Sequence, residues 1–212
     1  NISHSFTDKV LLDDTSFFIQ ENDKIGIIGI NGTGKSTLLK IIAGVEEPQQ
    51  GTVTKANGTV ISFLSQHPIF SEDETVIEHV LKNNTEKNHA WDIETQAKSL
   101  LTKFGLTDFN QKLSELSGGQ KKRVSLISVL VSPADILVLD EPTNHLDSEM
   151  AEYLEEYLKV FKGALVMVTH DRYFLDSVTN RIVEIDKGKL YRYDTNYSGF
   201  LALKAEREEM AM

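Results

Sequence analysis

The sequence contains no cysteine. Disulfides and thiolate metal sites are therefore excluded, which fits a reducing compartment. No apolar run approaches the roughly 20 residues that a bilayer-spanning helix needs. No basic-then-apolar leader opens the chain. Together these absences predict a soluble, cytoplasmic protein without membrane insertion. Positive charge is in deficit, with 22 Lys and Arg against 32 Asp and Glu and a net charge of -10. Nucleic-acid backbones are gripped by clustered cations, so no direct DNA binding is expected of this domain. Internal repeats and low-complexity stretches are missing too. What is present is ordinary: 212 residues, 40% hydrophobic and 25% charged. That suits one domain with a real core, or a core with a subdomain.

The chain is organised around Ile25-Gly26-Ile27-Ile28-Gly29-Ile30-Asn31-Gly32-Thr33-Gly34-Lys35-Ser36-Thr37. A strand-like apolar run leads into a glycine-rich loop, and a helix-like run follows. Residues 29–36 match G-x-x-x-x-G-K-[ST] without a mismatch. Glycines let successive backbone N–H groups approach phosphate oxygens, and a helix N-terminus adds partial positive charge. Lys35 supplies a full charge for the β- and γ-phosphates. Ser36 offers a hydroxyl to Mg²⁺, and Thr37 reaches toward the α-phosphate. Gly29, Asn31, Gly32, Thr33, Gly34, Lys35, Ser36 and Thr37 are thus read as nucleotide-binding. The loop alone names a ligand class and no reaction.

Residues 1–20 read as two short strands around a turn at Asp13-Asp14, with Phe17, Phe18 and Ile19 as a second apolar patch. Residues 25–28 read as a buried strand and 38–43 as helix ending at Gly44. Asn57-Gly58 is a strong hairpin signal, so 52–54 and 59–61 are expected to pair. From 71 to 116 the spacing turns helical, over 75–81 and 92–104, with Ile93, Ala97, Leu100, Leu101 and Phe104 on one face. That segment holds nine Asp and Glu against five Lys, so it carries no basic stripe. Trp91, the single Trp, reads as packing. A Gly-Gly turn and helix occupy 116–130. Strands follow at 135–140 and 164–169 with an amphipathic helix at 153–161 between them. A hairpin spans 181–193, turning at 186–189. Apolar strands alternating with helices predict a mainly parallel, covered sheet, and the early hairpins predict an added antiparallel layer. Asn1-Ile2-Ser3 lacks a methionine, and 201–212 is helix-forming with little core for it to pack on. Both ends read as cut, with 201–212 beginning a linker.

Two further constellations carry chemistry. The strand Ile136-Leu137-Val138-Leu139 delivers Asp140-Glu141 to its tip. A carboxylate there is the Mg²⁺-side partner of a phosphate loop. Asp140 is placed to hold the metal, and Glu141 to polarise water attacking the γ-phosphate. Leu116-Ser117-Gly118-Gly119-Gln120 then supplies a hydroxyl, glycine N–H groups and a helix N-terminus, the makings of an anion site. His4, His67, His79, His89 and His145 show no metal-ligand spacing. Lys121-Lys122-Arg123 reads as a solvated face that helps to position its helix.

With LSGGQ complete, the chain resembles the ATP-binding cassette (ABC) ATPases, over essentially its whole length. The resemblance implies an α/β P-loop NTPase fold of ABC type, with a mainly parallel RecA-like core sheet, an antiparallel β subdomain and a small α-helical subdomain. Residues 1–67 and 117–200 would form the catalytic core with its antiparallel layer, 68–116 the helical subdomain and 201–212 the start of an interdomain helix. It implies ATP and Mg²⁺ as cofactors and ATP hydrolysis as the activity. Ser117, Gly118, Gly119 and Gln120 would cap the γ-phosphate of ATP held by a second cassette, in the same polypeptide or a homodimer. Gln66 matches the Q-loop glutamine, a further Mg²⁺ and water contact. Asp147 matches the D-loop aspartate at the cassette interface, and His170 the switch histidine that bonds the γ-phosphate. Phe6 stands where the family has an aromatic on adenine, more commonly Tyr; stacking needs only a π-face.

Residues 141–147 (EPTNHLD) and 170–176 (HDRYFLD), with 191–203, resemble the first cassette of the ABC-F branch. That branch implies two cassettes on one chain, no membrane domain, and a ribosome partner in translation. Many such cassettes insert a long helical arm between the Q-loop and the signature. Here 66–117 is about the length of an ordinary helical subdomain, so any arm is very short, which argues against direct reach to ribosomal RNA. The alternative is the ATPase subunit of a membrane transporter, with the same fold and chemistry. A third reading, a non-hydrolysing regulatory cassette, is opposed by the intact Lys35, Gln66, Glu141 and His170.

Overall fold

Three apolar runs become the middle of one sheet. They are β3 (Lys24–Ile28), β6 (Ile136–Asp140) and β7 (Ala164–Val168), each with at most one residue short of full burial. The structure, a computed structural model, describes residues 2–6, 9–15, 18–30, 32, 34–71, 73–83 and 90–212, with backbone alone for 2–6, 9–15, 90 and 91. Adding β5 (Ile61–Leu64), β8 (Arg181–Asp186) and β9 (Lys189–Tyr193), the sheet has the order β5-β6-β7-β3-β8-β9. All neighbours are parallel except β8 and β9, a hairpin. The mainly parallel core read from the sequence is observed.

Side chains alternate across this sheet with the strand period of two. On one face Ile25, Ile27, Val138, Val166 and Val183 pack under Leu38, Leu39, Ile41 and Ile42 of helix α1 (Lys35–Ala43). On the other, Leu137, Leu139, Leu165 and Met167 pack against α4 (Gly118–Val131), α5 (Ser148–Val160) and α6 (Arg172–Val178). The approach of α6 depends on Gly26. A Cβ built there would lie 2.6 Å from Cδ2 of Leu175, closer than packed atoms come.

The helices α2 (Val76–Leu81) and α3 (Ala90–Lys103) fall where the spacing puts them. Thr75 and Glu78 cap α2 reciprocally, with Glu78 N–H donating to the Thr75 hydroxyl and Thr75 N–H to the Glu78 carboxylate. Val76, Val80, Ala97, Leu100, Leu101 and Phe104 join the same core as α4. The signature helix is therefore packed as one body with the helical segment.

Elsewhere tertiary pairing overrides local signals. β1 (Ile2–Phe6) pairs antiparallel with β2 (Lys9–Thr15), so Asp13-Asp14 sit inside a strand. The expected pairing of 52–54 with 59–61 is absent. β4 (Gln50–Gly51) pairs with β1 instead, giving the antiparallel sheet β2-β1-β4. Asn57-Gly58 does form a turn, closed by Thr59 N–H to Ala56 O at 3.2 Å. The strand after it is captured by β6, where the Val60 carbonyl accepts the N–H groups of Asp135 and Ile136. The Gly-Gly pair at 118–119 lies within the first turn of α4, with Ser117 as the cap. Phe18 is exposed and Ile19 only part-buried, while Phe17 falls outside the described residues, as does the side chain of Trp91.

The terminal helix starts earlier than the sequence reading puts it. α7 runs Tyr197–Met210, anchored near its start, while no residue of 201–212 is buried. Phe200 is buried against Ile182 and Tyr193. The buried Glu184 of β8 accepts Lys204 at 2.6 Å and Arg207 at 3.1 Å. The Arg207 guanidinium also lies over the Tyr191 ring, 4.0 Å from its centroid. Asn196 caps the helix, accepting from Gly199 N–H, and Asp176 accepts Ser198 N–H at 2.7 Å.

Candidate functional site

Parallel strands bring their carboxyl ends to one edge, and ligands of such sheets bind in the crevice beyond it. Four motifs arrive there. The phosphate loop follows β3, Gln66 lies two residues after β5, Asp140 ends β6, and Thr169 and His170 follow β7.

The loop has the backbone that phosphate binding asks for. Gly32 and Gly34 sit at φ 79° and 94°, the left-handed region where a side chain is strained. Gly34 precedes α1 without a side-chain cap, so the first N–H groups of that helix face the crevice uncapped. Lys35 donates from Nζ to the Gly29 carbonyl at 2.7 Å. Burial pulls its pKa down, opposed by the charges of Glu141 and Asp140. Asn31 and Thr33 fall outside the described residues, as does the side chain of Phe6.

Ser36 and Asp140 meet. Asp140 is 4% exposed, and its pKa is raised by burial, against a hydrogen bond from the Ser36 side chain and the charges of Lys40, His67 and Lys35. Its Oδ1 is buried without a hydrogen-bond partner. A buried carboxylate oxygen left unpaired is costly, and a divalent cation would satisfy it. Among the described residues no group of three His, Asp or Glu side chains forms a metal cage. A cation here would thus draw most of its oxygens from elsewhere, as Mg²⁺ does when it binds phosphates. Gln66 lines the same cavity as Asp140 and Glu141, with Lys122, Arg123 and Asn144.

Glu141 has φ 51°, uncommon for a residue with a side chain. Its N–H donates to the Val168 carbonyl at 2.7 Å. Its carboxylate, 7% exposed, lies 3.2 Å from His170 Nε2 through Oε1 and accepts the His170 N–H at 3.3 Å through Oε2. Burial raises the Glu141 pKa, opposed mainly by His170. A carboxyl that is buried, oriented and shifted upward is a candidate general base. His170 itself is 69% exposed, free to meet a ligand.

The signature lies apart. Ser117 to Gln120 line neither the Gln66–Asp140–Glu141 cavity nor the one bounded by Gly29, Lys35 and His170. Ser117 accepts the Gln120 N–H at 3.2 Å, and Gln120 Oε1 accepts the Ser117 N–H at 2.9 Å. Ser117 and Gly118 are exposed, so the N-terminus of α4 opens outward. Gly119 packs on His145, where an added Cβ would stand 3.4 Å from Nδ1. Asp147 caps α5, accepting the Met150 N–H at 2.9 Å. Arg123 ties the signature helix down, donating to the Phe104 carbonyl at 3.1 Å. Sequence reasoning passed over Thr143 and Thr169, whose hydroxyls meet at 3.2 Å, and over Glu184. Their signals, a threonine after the Pro of one motif and one before the His of another, were visible but carry no chemistry until the two loops are adjacent.

The family model described as ABC transporter matches residues 12–144. A Bacillus subtilis protein named as an uncharacterized ABC transporter ATP-binding protein, YfmR, is 44% identical over 247 residues, covering 100% of this chain and 39% of that protein. The energy-dependent translational throttle protein EttA of Mycobacterium tuberculosis is 37% identical over 235 residues, covering 94% of this chain and 42% of its own length. Among solved structures, that of an archaeal ribosome recycling factor in complex with a ribosomal stalk protein aligns with a TM-score of 0.75 at 26% identity. It covers 95% of this chain and 40% of the matched one. The chain thus spans about two fifths of the length of these two relatives. The 247-residue alignment is longer than this chain, so the Bacillus relative holds residues inserted between matching segments.

Proposed function

Because the chain belongs to the ABC transporter family and is an ATPase cassette of it, we propose that it hydrolyses ATP in a site completed by a second cassette, within a cytoplasmic ABC-F protein that acts on translation. The observation that carries the hydrolytic reading is the buried pair at the tip of β6, Asp140 with an unpartnered Oδ1 and Glu141 held by His170.

In this reading Lys35 exchanges the Gly29 carbonyl for the β- and γ-phosphates. The N–H groups of residues 29–37, Asn31 and Thr33 included, donate to phosphate oxygens. Phe6 stacks on adenine. Ser36, Asp140 and Gln66 would hold Mg²⁺, which when bound neutralises charge on the transferring phosphoryl group. Glu141 takes the proton of the attacking water, its raised pKa making it a stronger base than an exposed carboxylate. His170 orients that carboxylate and, being exposed, reaches the γ-phosphate. Ser117 to Gln120 serve the ATP of the other cassette, consistent with an α4 N-terminus that opens outward, and Asp147 lies at the junction. Glu141→Gln is expected to keep ATP binding while turnover falls by orders of magnitude, since removing one preorganised group commonly costs that much. Single-turnover hydrolysis alongside equilibrium nucleotide binding checks it; normal hydrolysis would remove Glu141 from the role.

The translational setting is supported by the names of the EttA relative and the ribosome recycling factor. Among the described residues no helix is long and apolar enough to cross a membrane. The acidic charge and the short 67–116 segment point to a role set by the paired cassettes more than by an RNA-reaching arm. The exposed second half of α7 is read as the start of a linker. Co-sedimentation of the Glu141→Gln protein with ribosomes in ATP supports this reading; recovery with membranes instead favours the transporter subunit.

A further inference from the structure

We infer that Thr143 and Thr169 are positioning residues for hydrolysis, a hydroxyl pair that holds the loop bearing Glu141 against the loop bearing His170. The inference rests on the reading of Glu141 as the base. Their Oγ1 atoms are 3.2 Å apart. Thr169 is 5% exposed, so its hydroxyl has little access to water and depends on protein partners. That oxygen also accepts the N–H of Asp171 at 3.1 Å, which a hydroxyl with one hydrogen and two lone pairs allows. Thr143 closes its own turn as well, its carbonyl accepting the Leu146 N–H at 3.2 Å.

The need for such a link comes from Glu141. A non-glycine residue at φ 51° stays there only when its surroundings hold it. On one side the bond from Glu141 N–H to Val168 O does so. On the other, two residues past Glu141 and one past Val168, the hydroxyl pair closes the bracket. Residues 141–143 and 168–169 are thereby cross-linked at both ends, and the Glu141 carboxylate is left facing His170. Without the pair, Glu141 relaxes toward negative φ and its carboxylate leaves the line of attack. A displacement on the order of 1 Å costs about a hundredfold. Packing alone does not require threonine at 169, because valine has the same shape; the hydroxyl serves its bonds to Thr143 and to the Asp171 N–H.

The test is steady-state ATP hydrolysis and ATP binding by the full-length polypeptide, comparing Thr169→Val, Thr169→Ser, Thr143→Val, the double valine variant and Glu141→Gln. The expected result is a kcat lowered about 10- to 100-fold in Thr169→Val, with KM and the binding constant for ATP within about twofold. Serine should restore most of the rate. The double variant should lose no more than the worse single one, as for residues that act as a unit. Unchanged kcat in Thr169→Val, a KM that rises as kcat falls, or losses that multiply in the double variant each overturn the inference. If Thr169→Val does not fold by circular dichroism, Thr143→Val, at a half-buried position, carries the same expectations. Turnover stopped in Glu141→Gln but untouched in the valine variants sinks the positioning claim alone. Turnover retained in Glu141→Gln sinks the base assignment and this inference with it.

Discussion

At the scale of the residue, the site is built from groups that are costly to the empty protein. Asp140 and Glu141 both have pKa values raised by burial. For a carboxyl with a raised folded pKa, the favourable contribution is present below its ordinary pKa and lost as pH rises through the folded value. Near neutral pH the ligand-free protein therefore carries a penalty for keeping Asp140 ionised. Asp140→Asn is expected to raise the Tm of the ligand-free protein at pH 7. The gain should shrink on acidification and vanish below about pH 4, where carboxyls are protonated in either state. The same variant should lose the extra Tm that Mg²⁺ adds to ATP binding in the parent. Calorimetry across pH, with and without Mg²⁺-ATP, measures both. A variant less stable than the parent at pH 7 would mean that the Ser36 bond and nearby cations outweigh burial.

At the scale of the element, one polar side chain in each of two helix anchors can be tested by itself. The Ser117 cap secures α4, and Ser117→Ala should cost about 1 kcal/mol of stability, read by urea unfolding; a loss within error would show that the outward N-terminus frays at no cost. α7 depends on Glu184, whose carboxylate is 6% exposed while Lys204 and Arg207 are each about a third exposed. The two sides of this cluster are therefore unequal. Removing both cations leaves a buried charge unpaired, whereas removing Glu184 leaves cations that water can solvate. Lys204→Met with Arg207→Met should destabilise by about 2 to 4 kcal/mol, and Glu184→Leu by clearly less. Equal losses would mean that α7 is held by Phe200 packing alone.

Elements also mark how far the sequence could be read. The strands β3, β6 and β7 were legible because each is a continuous apolar run covered on both faces. The phosphate loop, Asp140-Glu141 and the signature were legible because their chemistry is local to a few adjacent residues. Asp13-Asp14 was misread as a turn because Asp disfavours strands, a preference that pairing with β1 overrides. The hairpin at Asn57-Gly58 failed because the strand after it has a stronger partner 75 residues away in β6. No local pattern announces the α7 anchor, which depends on Glu184 meeting residues 20 and 23 positions further on. The Thr143–Thr169 pair, 26 residues apart in sequence, is invisible for the same reason.

At the scale of the whole molecule, the site is divided. The phosphate loop, Asp140, Glu141 and His170 gather at one sheet edge, while the signature opens outward on α4 and lines neither cavity there. On the proposed reading one chain presents a half-site and a separate cap, each completed by a second cassette. The most direct measurement is the rate of ATP hydrolysis per molecule of this 212-residue chain as its concentration is raised. The account predicts a rate per molecule that climbs with concentration as cassettes pair, and climbs further when pairs are trapped by mixing with Glu141→Gln protein that supplies signatures but no base. Appreciable turnover per molecule that stays flat from dilute to concentrated protein would contradict it, because one chain would then be completing its own site.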